Sequence, residues 1–301
     1  MTPMSMACAR QYLERAIALD PEYARPHGEL AIVFSAMALL TMGAAHEMMP
    51  LARSASLRAL ELDPSQPEAL AALASVKAFY DYDWQEAGRL FQRCRTSHLA
   101  DHRHAMYLAS MGRAEVALAD YECVLADDPL SLFFRAHYAN FLFMAGRTSD
   151  ATREVRRALE SDDNIPMAIS LLMRCMVAEG RLDEALPMAE KVARLLPWYL
   201  DTHGWLAGLL WLTGEEKRAA QVLQDLGDGK ANGAPLGLCT YYLLRGNLDR
   251  AADWAAKAIE QRSSVVTVCL WYPHTAALRR SARWPELLKM LKLPDEVSRP
   301  E

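Results

Sequence analysis

The chain has little that would commit it to a known chemistry. Of its 301 residues, 33 are Lys or Arg and 38 are Asp or Glu, so the net charge is −5, and the pI is near 5.9. It therefore lacks the basic stripe with which a nucleic-acid-binding body neutralises phosphates, and no nucleic-acid partner is expected. The six cysteines (Cys8, Cys94, Cys123, Cys175, Cys239 and Cys269) lie far apart with no C-x-x-C pair. That spacing argues against a cysteine zinc site and a disulfide framework, and suits a reducing compartment. Long apolar runs are missing too. Leu30 to Met42 falls short of the ~20 residues needed to span a bilayer and reads as a buried helix, and the opening "MTPMSMACAR" has no apolar core of a signal peptide. A soluble cytoplasmic protein with no membrane partner is expected. There is no glycine-rich phosphate loop, no G-x-S-x-G elbow and no H-E-x-x-H. No catalytic residue, metal or cofactor is assigned, and an enzyme is not the expected class.

What the chain does have is repetition. Gly112-Arg113, Gly146-Arg147, Gly180-Arg181, Gly214-Glu215 and Gly246-Asn247 recur at steps of 34, 34, 34 and 32 residues. An alanine stands five residues after each glycine: Ala117, Ala151, Ala185, Ala219 and Ala251. Glycine ends a helix with positive φ, and the small alanine lets the next helix approach its partner closely. A period of 34 is that of stacked helix-turn-helix units. A length above ~250–300 residues would ordinarily suggest two globular domains. No linker interrupts this chain, and a solenoid resolves the conflict because its core grows along one axis. The fold expected is all-α: a right-handed α-solenoid of about seven helix pairs, with a half repeat in front and a cap behind.

In chain order, residues 1–21 form the half repeat, one amphipathic helix ended by Asp20-Pro21, whose own first helix would lie upstream. Residues 22–263 hold the pairs. The first is lengthened around Gly43–Pro50, and the second is joined by "YDYDW", where Asp83 caps a helix and Trp84 folds back over the pair. "GDGKANG" (227–233) is expected to be the loosest loop. Residues 264–301, with Trp271-Tyr272-Pro273 and a short helix near 284–291, make the cap that the last repeat needs on its exposed apolar face.

These marks resemble the tetratricopeptide repeat family over nearly the whole chain. More narrowly, "RAIALDP", "RALELDP", "DYDWQEA" and "LRRSARWPELLKML" are similar to the repeat arrays that follow DNA-binding, kinase or cyclase domains in bacterial signalling proteins. The resemblance implies a concave wall built from the first helix of each pair, and a protein or peptide partner lying in that groove. Some members grip a peptide's terminal carboxylate there with lysines, asparagines and an arginine. Asn140 and Arg174 match that set but the lysines do not, so the activity is not carried over.

Aligning the repeats sorts the candidate residues. His104, Cys175 and Cys239 fall in core-facing columns and read as packing residues. His98 and His102 are four apart, as in zinc helices, but His98 is expected to precede the helix and no second ligand pair supports a metal. The wall columns read His102, Ala136, Ser170, Gly204; then Met106, Asn140, Arg174, Gly208; then Ala109, Phe143, Val177, Trp211. Gly204 and Gly208 each cost a helix about 1 kcal/mol relative to alanine. They predict either a hollow bounded by Trp211, Phe143 and Arg174, or close packing of helices. The candidate site is therefore His102, Met106, Phe133, Asn140, Phe143, Ser170, Arg174, Gly204, Gly208 and Trp211, centred on Arg174. Two readings stand. One is a scaffold binding a peptide or partner segment along the groove. The other is a pocket for a small apolar ligand with an anionic group, sensory or catalytic, beside Arg174, Gly204 and Gly208. A competing structural reading pairs Arg174 with a carboxylate such as Asp201.

Overall fold

Glycine-ended turns set the architecture. In the computed structural model, which describes residues 2–94, 98–294 and 297, Gly112, Gly146, Gly180, Gly214 and Gly246 all adopt left-handed φ values of 72–85°. The amide that follows each one donates back across the turn, as Arg147 does to Leu142 O at 2.9 Å and Arg181 to Met176 O at 2.9 Å. This is a helix stop that satisfies orphan carbonyls and reverses the chain. Ala117, Ala151, Ala185, Ala219 and Ala251 are all buried where the paired helices meet.

The chain opens with α1 (Pro3–Leu19) and continues in seven pairs. These are α2 (Ala24–Leu39) with α3 (Ala45–Leu62), α4 (Pro67–Val76) with α5 (Trp84–Arg93), and α6 (His98–Ser110) with α7 (Ala114–Asp127). Then come α8 (Leu132–Met144) with α9 (Thr148–Ser161), α10 (Pro166–Ala178) with α11 (Leu182–Leu195), α12 (Asp201–Leu212) with α13 (Glu216–Leu226), and α14 (Ala234–Leu244) with α15 (Leu248–Glu260). No strand occurs among the described residues. First helices also pack on one another, α2 on α4, α4 on α6, α6 on α8, α8 on α10 and α12 on α14, which is the stacking of an α-solenoid.

Two features break the regularity. α4 runs into a π turn, Lys77–Asp81, that ends on Tyr82 in the left-handed region, before Asp83 accepts the Glu86 amide and starts α5. Among the described residues, four other than glycine, Thr41, Tyr82, Arg262 and Lys292, carry positive φ of 51–57° at helix ends. A side chain there costs roughly 1–2 kcal/mol.

The end of the chain does not simply lie over the last repeat. After α15 come α16 (Val266–Cys269), a 3₁₀ turn (Pro273–Thr275), α17 (Ala276–Arg279) and α18 (Trp284–Met290). α17 and α18 pack on α15, whereas α16 reaches across to α6. The two ends of the solenoid also meet. Asn232 donates to Thr41 O and Gly43 O at 3.0 and 3.1 Å, the Tyr82 hydroxyl to Ile259 O at 3.4 Å, and Arg262 to Tyr80 O at 3.1 Å. The loop expected to be the loosest, 227–233, is thus a closing contact. Its Gly229 sits so near Trp254 that a Cβ would strike the indole. The extra length between α2 and α3 supplies the carbonyls that Asn232 grips.

Candidate functional site

The wall expected to line the groove is present, and the chain's own tail lies against it. Asn140 on α8 is buried, and its Oδ1 accepts the Tyr272 hydroxyl at 2.8 Å. On α10, Arg174 lies over the Tyr272 ring at 4.7 Å and the Trp205 ring at 5.5 Å. A guanidinium stacked on two aromatic faces gains from both ring quadrupoles while shedding little hydration. Phe143 meets Tyr272 with ring centroids 6.1 Å apart. One helix earlier, Ser110 accepts the Trp271 indole N–H on its carbonyl at 2.7 Å and holds Thr267 through its hydroxyl at 3.3 Å. A strip of three first helices, α6, α8 and α10, therefore holds residues 266–274 by polar contacts set among aromatics.

Arg174 also pairs with Asp201, Nη2 to Oδ2 at 3.3 Å, and Thr240 donates to the other carboxylate oxygen at 2.9 Å. The competing structural reading of Arg174 thus describes part of its surroundings. Burial pushes the Asp201 carboxyl up, against the opposing pull of Arg174 and the Thr240 hydroxyl. Arg174 Nε has no hydrogen-bond partner among the described residues. His274 closes this cluster, edge-on to Trp205 at 4.6 Å, and burial pushes its imidazole well below the usual range.

The glycines correct one expectation. Gly204 and Gly208 do not open a hollow. A Cβ on Gly204 would run into the Gly237 carbonyl, and one on Gly208 into Leu244, because α14 packs directly on that face of α12. Close helix approach is what these glycines permit. Trp211 faces the same way and is covered by Arg245, whose guanidinium lies 4.6 Å from its ring. The space expected between Trp211, Phe143 and Arg174 is taken by α14 on one side and by Tyr272 on the other.

His102, which is buried, and Phe133, which is half-buried, belong to a separate aromatic cluster. The Tyr121 hydroxyl hydrogen-bonds His102 Nδ1 at 3.0 Å, His137 Nδ1 donates to Phe133 O at 3.0 Å, and the two imidazoles meet edge to face at 4.2 Å. Burial, and then mutual repulsion, holds His102 well below the usual histidine range; burial pushes His137 down to about 4. Met106 and Ser170 are half-buried, and Met106 O accepts the Ser110 hydroxyl at 2.9 Å. His104, read as a packing residue, stacks near Phe91 and Tyr107 but also pairs with Asp120 at 2.9 Å. Cys175 and Cys239 are buried, and burial raises both thiols. His98 opens α6 instead of preceding it, and its side chain lies outside the described residues. Among those residues no three His, Cys, Asp or Glu side chains come together as a metal site.

The alignment of repeats did not flag Ser110, Trp205, Thr240, Tyr272 and His274. Tyr272 carried a signal, since Trp271-Tyr272-Pro273 is an aromatic cluster outside the repeats, but its destination on α8 and α10 did not follow from spacing. No helix among the described residues is long and apolar enough to cross a membrane.

Residues 176–235 match the tetratricopeptide repeat family model. No curated protein sequence matches the chain. Among solved structures, a human IFIT1 dimer with PPP-AAAA superposes with a TM-score of 0.66 at 14% identity, covering 93% of this chain and 70% of that one. A tetratricopeptide repeat protein from Parabacteroides merdae superposes with a TM-score of 0.52 at 16% identity, covering 88% and 99%. The turn geometry and the buried alanines repeat, from Gly112 to Ala251, the helix-turn-helix pattern of the segment that matches the tetratricopeptide repeat model.

Proposed function

We propose that this chain is a protein-interaction scaffold whose first helices recognise a partner segment through Asn140, Arg174 and the aromatic side chains around them. One observation carries the reading. The wall already treats the chain's own residues 266–274 as such a segment, with the Tyr272 hydroxyl on Asn140, its ring under Arg174 and the Trp271 indole on Ser110 O. A surface that satisfies an aromatic segment in this manner has the chemistry to take an equivalent one from another protein. Gly204 and Gly208, closed over by α14, lend no support to a small-ligand pocket beside Arg174.

The test uses a labelled synthetic peptide of residues 264–283 and the full-length chain, either unaltered or with Trp271→Ala and Tyr272→Ala to loosen the resident segment. Circular dichroism first checks that each variant keeps its helix content. Fluorescence anisotropy should then show binding to the loosened chain and none to the unaltered one. Adding Asn140→Ala or Arg174→Met to the loosened chain should weaken the peptide by at least tenfold, about 1.4 kcal/mol. A folded, loosened chain that ignores the peptide would overturn the reading.

A further inference from the structure

A cavity of about 600 Å³ lies at the seam where the two ends of the solenoid meet, and none of the residues that line it belongs to the groove wall. Lys77, Tyr80, Asp81, Tyr82, Asp83, Arg262 and Lys292 line it. Its volume is in the range of small-molecule sites. Three observations converge on it.

The first is backbone geometry. The regular helix-ending turns take glycine at the left-handed position, at Gly112, Gly146, Gly180, Gly214 and Gly246. The same back-bonded turn ends α15 and α18, where Ser263 donates to Ala258 O at 2.9 Å and Leu293 to Leu288 O at 3.2 Å. At those two ends the left-handed residues are Arg262 and Lys292, and at the π turn it is Tyr82. Among the described residues, three of the four other than glycine with positive φ thus line one cavity. Strained backbone of this kind persists where a side chain is needed.

The second is charge. Lys77 sits between Asp81 at 3.6 Å and Asp83 at 3.5 Å, and Asp81 is also held by Arg53 at 2.6 Å. Asp83 further accepts the Glu86 amide at 3.3 Å. The carboxylates are therefore engaged. Arg262 has Tyr80 O at 3.1 Å and the Tyr82 ring at 4.6 Å, and no carboxylate among the described residues. Lys292 has no ion pair among them either. Among the described residues, Arg262 and Lys292 are thus left as two cations of the cavity with no carboxylate partner.

The third is origin. The lysine and tyrosines come from the end of α4, and the two uncompensated cations from the ends of α15 and α18. The site exists only once the ends of the chain have met.

We propose that this cavity binds a small organic anion carrying phosphate or carboxylate groups, held by Arg262 and Lys292 with Lys77 behind them. Arg262 supplies a planar fork, already fixed on Tyr82, and Lys292 a mobile point charge. A bound anion would tie α4 to α15 and α18 and so stabilise the closed form.

The test is isothermal titration calorimetry on the full chain at low ionic strength, with inorganic phosphate, pyrophosphate and citrate as probes. One or more should bind at one site per chain, and Lys292→Gly and Arg262→Gln should each weaken it tenfold or more. Lys230→Ala, outside the cavity and paired with Asp228 at 2.6 Å, should leave it unchanged. Binding of phosphate or pyrophosphate but not citrate would assign phosphate ligands, and the reverse carboxylates. Without a probe, Lys292→Gly should melt about 2 °C higher, because glycine relieves the left-handed position. The proposal falls if no probe binds the unaltered chain, or if Lys292→Gly binds as well as it does. It also falls if Lys292→Gly melts lower, which would mean that Lys292 is kept for the negative end of α18.

Discussion

Arg174 and the buried histidines show what single residues carry in this molecule. Arg174 is 8% exposed and Asp201 4%, so removing one charge strands the other where water cannot reach it. Breaking such a pair typically costs 3–5 kcal/mol. Arg174→Met should therefore lose stability on that scale in urea unfolding, besides releasing Tyr272. Arg174→Met with Asp201→Asn should recover much of it, since no uncompensated charge remains. Additive losses in this double-mutant cycle would deny the pairing. The histidines set an acid limit. His137, pushed down to about 4, and His102 and His274, both well below the usual range, stay neutral in the fold while the unfolded chain protonates near 6.5. The unfolded state then binds more protons, so stability falls as pH drops below about 6.5 and continues to fall toward 4. The loss is up to roughly 1.4 kcal/mol per pH unit per histidine. His137→Gln should flatten the fall between pH 6.5 and 5; an unchanged slope would mean that His137 already carries its proton in the fold.

At the scale of helices, how much could be read from the chain depended on how local the signal was. The glycine marks located every turn between paired helices from Gly112 onward, because the left-handed stop and the alanine contact are satisfied within a few residues. Asp83 was legible as a cap for the same reason. Trp84 was placed on its own pair, whereas its indole N–H reaches Leu291 O, 207 residues away, at 2.8 Å. Tyr272 on Asn140 spans 132 residues, and nothing in a 34-residue period points to it. Gly204 and Gly208 were ambiguous for a related reason: a glycine permits both a hollow and a close approach, and the neighbouring helix decides. The register itself can be tested. Ala185 is fully buried, while Glu184 is exposed and paired with Arg181 at 2.7 Å. Ala185→Leu should overpack the contact between α10 and α11 and cost about 1–3 kcal/mol. Glu184→Leu loses one exposed ion pair, worth less than about 1 kcal/mol. Equal shifts in melting temperature would sink the assigned register.

For the whole molecule, the decisive feature is that a quasi-linear architecture has been closed. An open solenoid has nearest-neighbour energetics, so its ends fray and its unfolding spreads over several steps. Here the first pairs are tied to the last through Asn232 on Thr41 O and Gly43 O, Tyr82 on Ile259 O, Arg262 on Tyr80 O and Trp84 on Leu291 O. None of these bonds is strong, since each contributes about 1 kcal/mol. Together they restrain the end pairs from which unfolding would start, while α1, packed on α2, lies outside the ties. Helix loss, followed at far-ultraviolet wavelengths, and tryptophan exposure, followed by fluorescence, should then coincide in one transition. Asn232→Ala with Trp84→Phe cuts two of the ties and keeps an aromatic ring at position 84 against Tyr82 and Tyr107. That variant should lose only about 2 kcal/mol overall, yet its two melting curves should separate, with helix lost first from the freed ends. Coincident curves in the double variant, or separate curves in the unaltered chain, would mean that cooperativity comes from the repeat interfaces and the tail and owes nothing to closure.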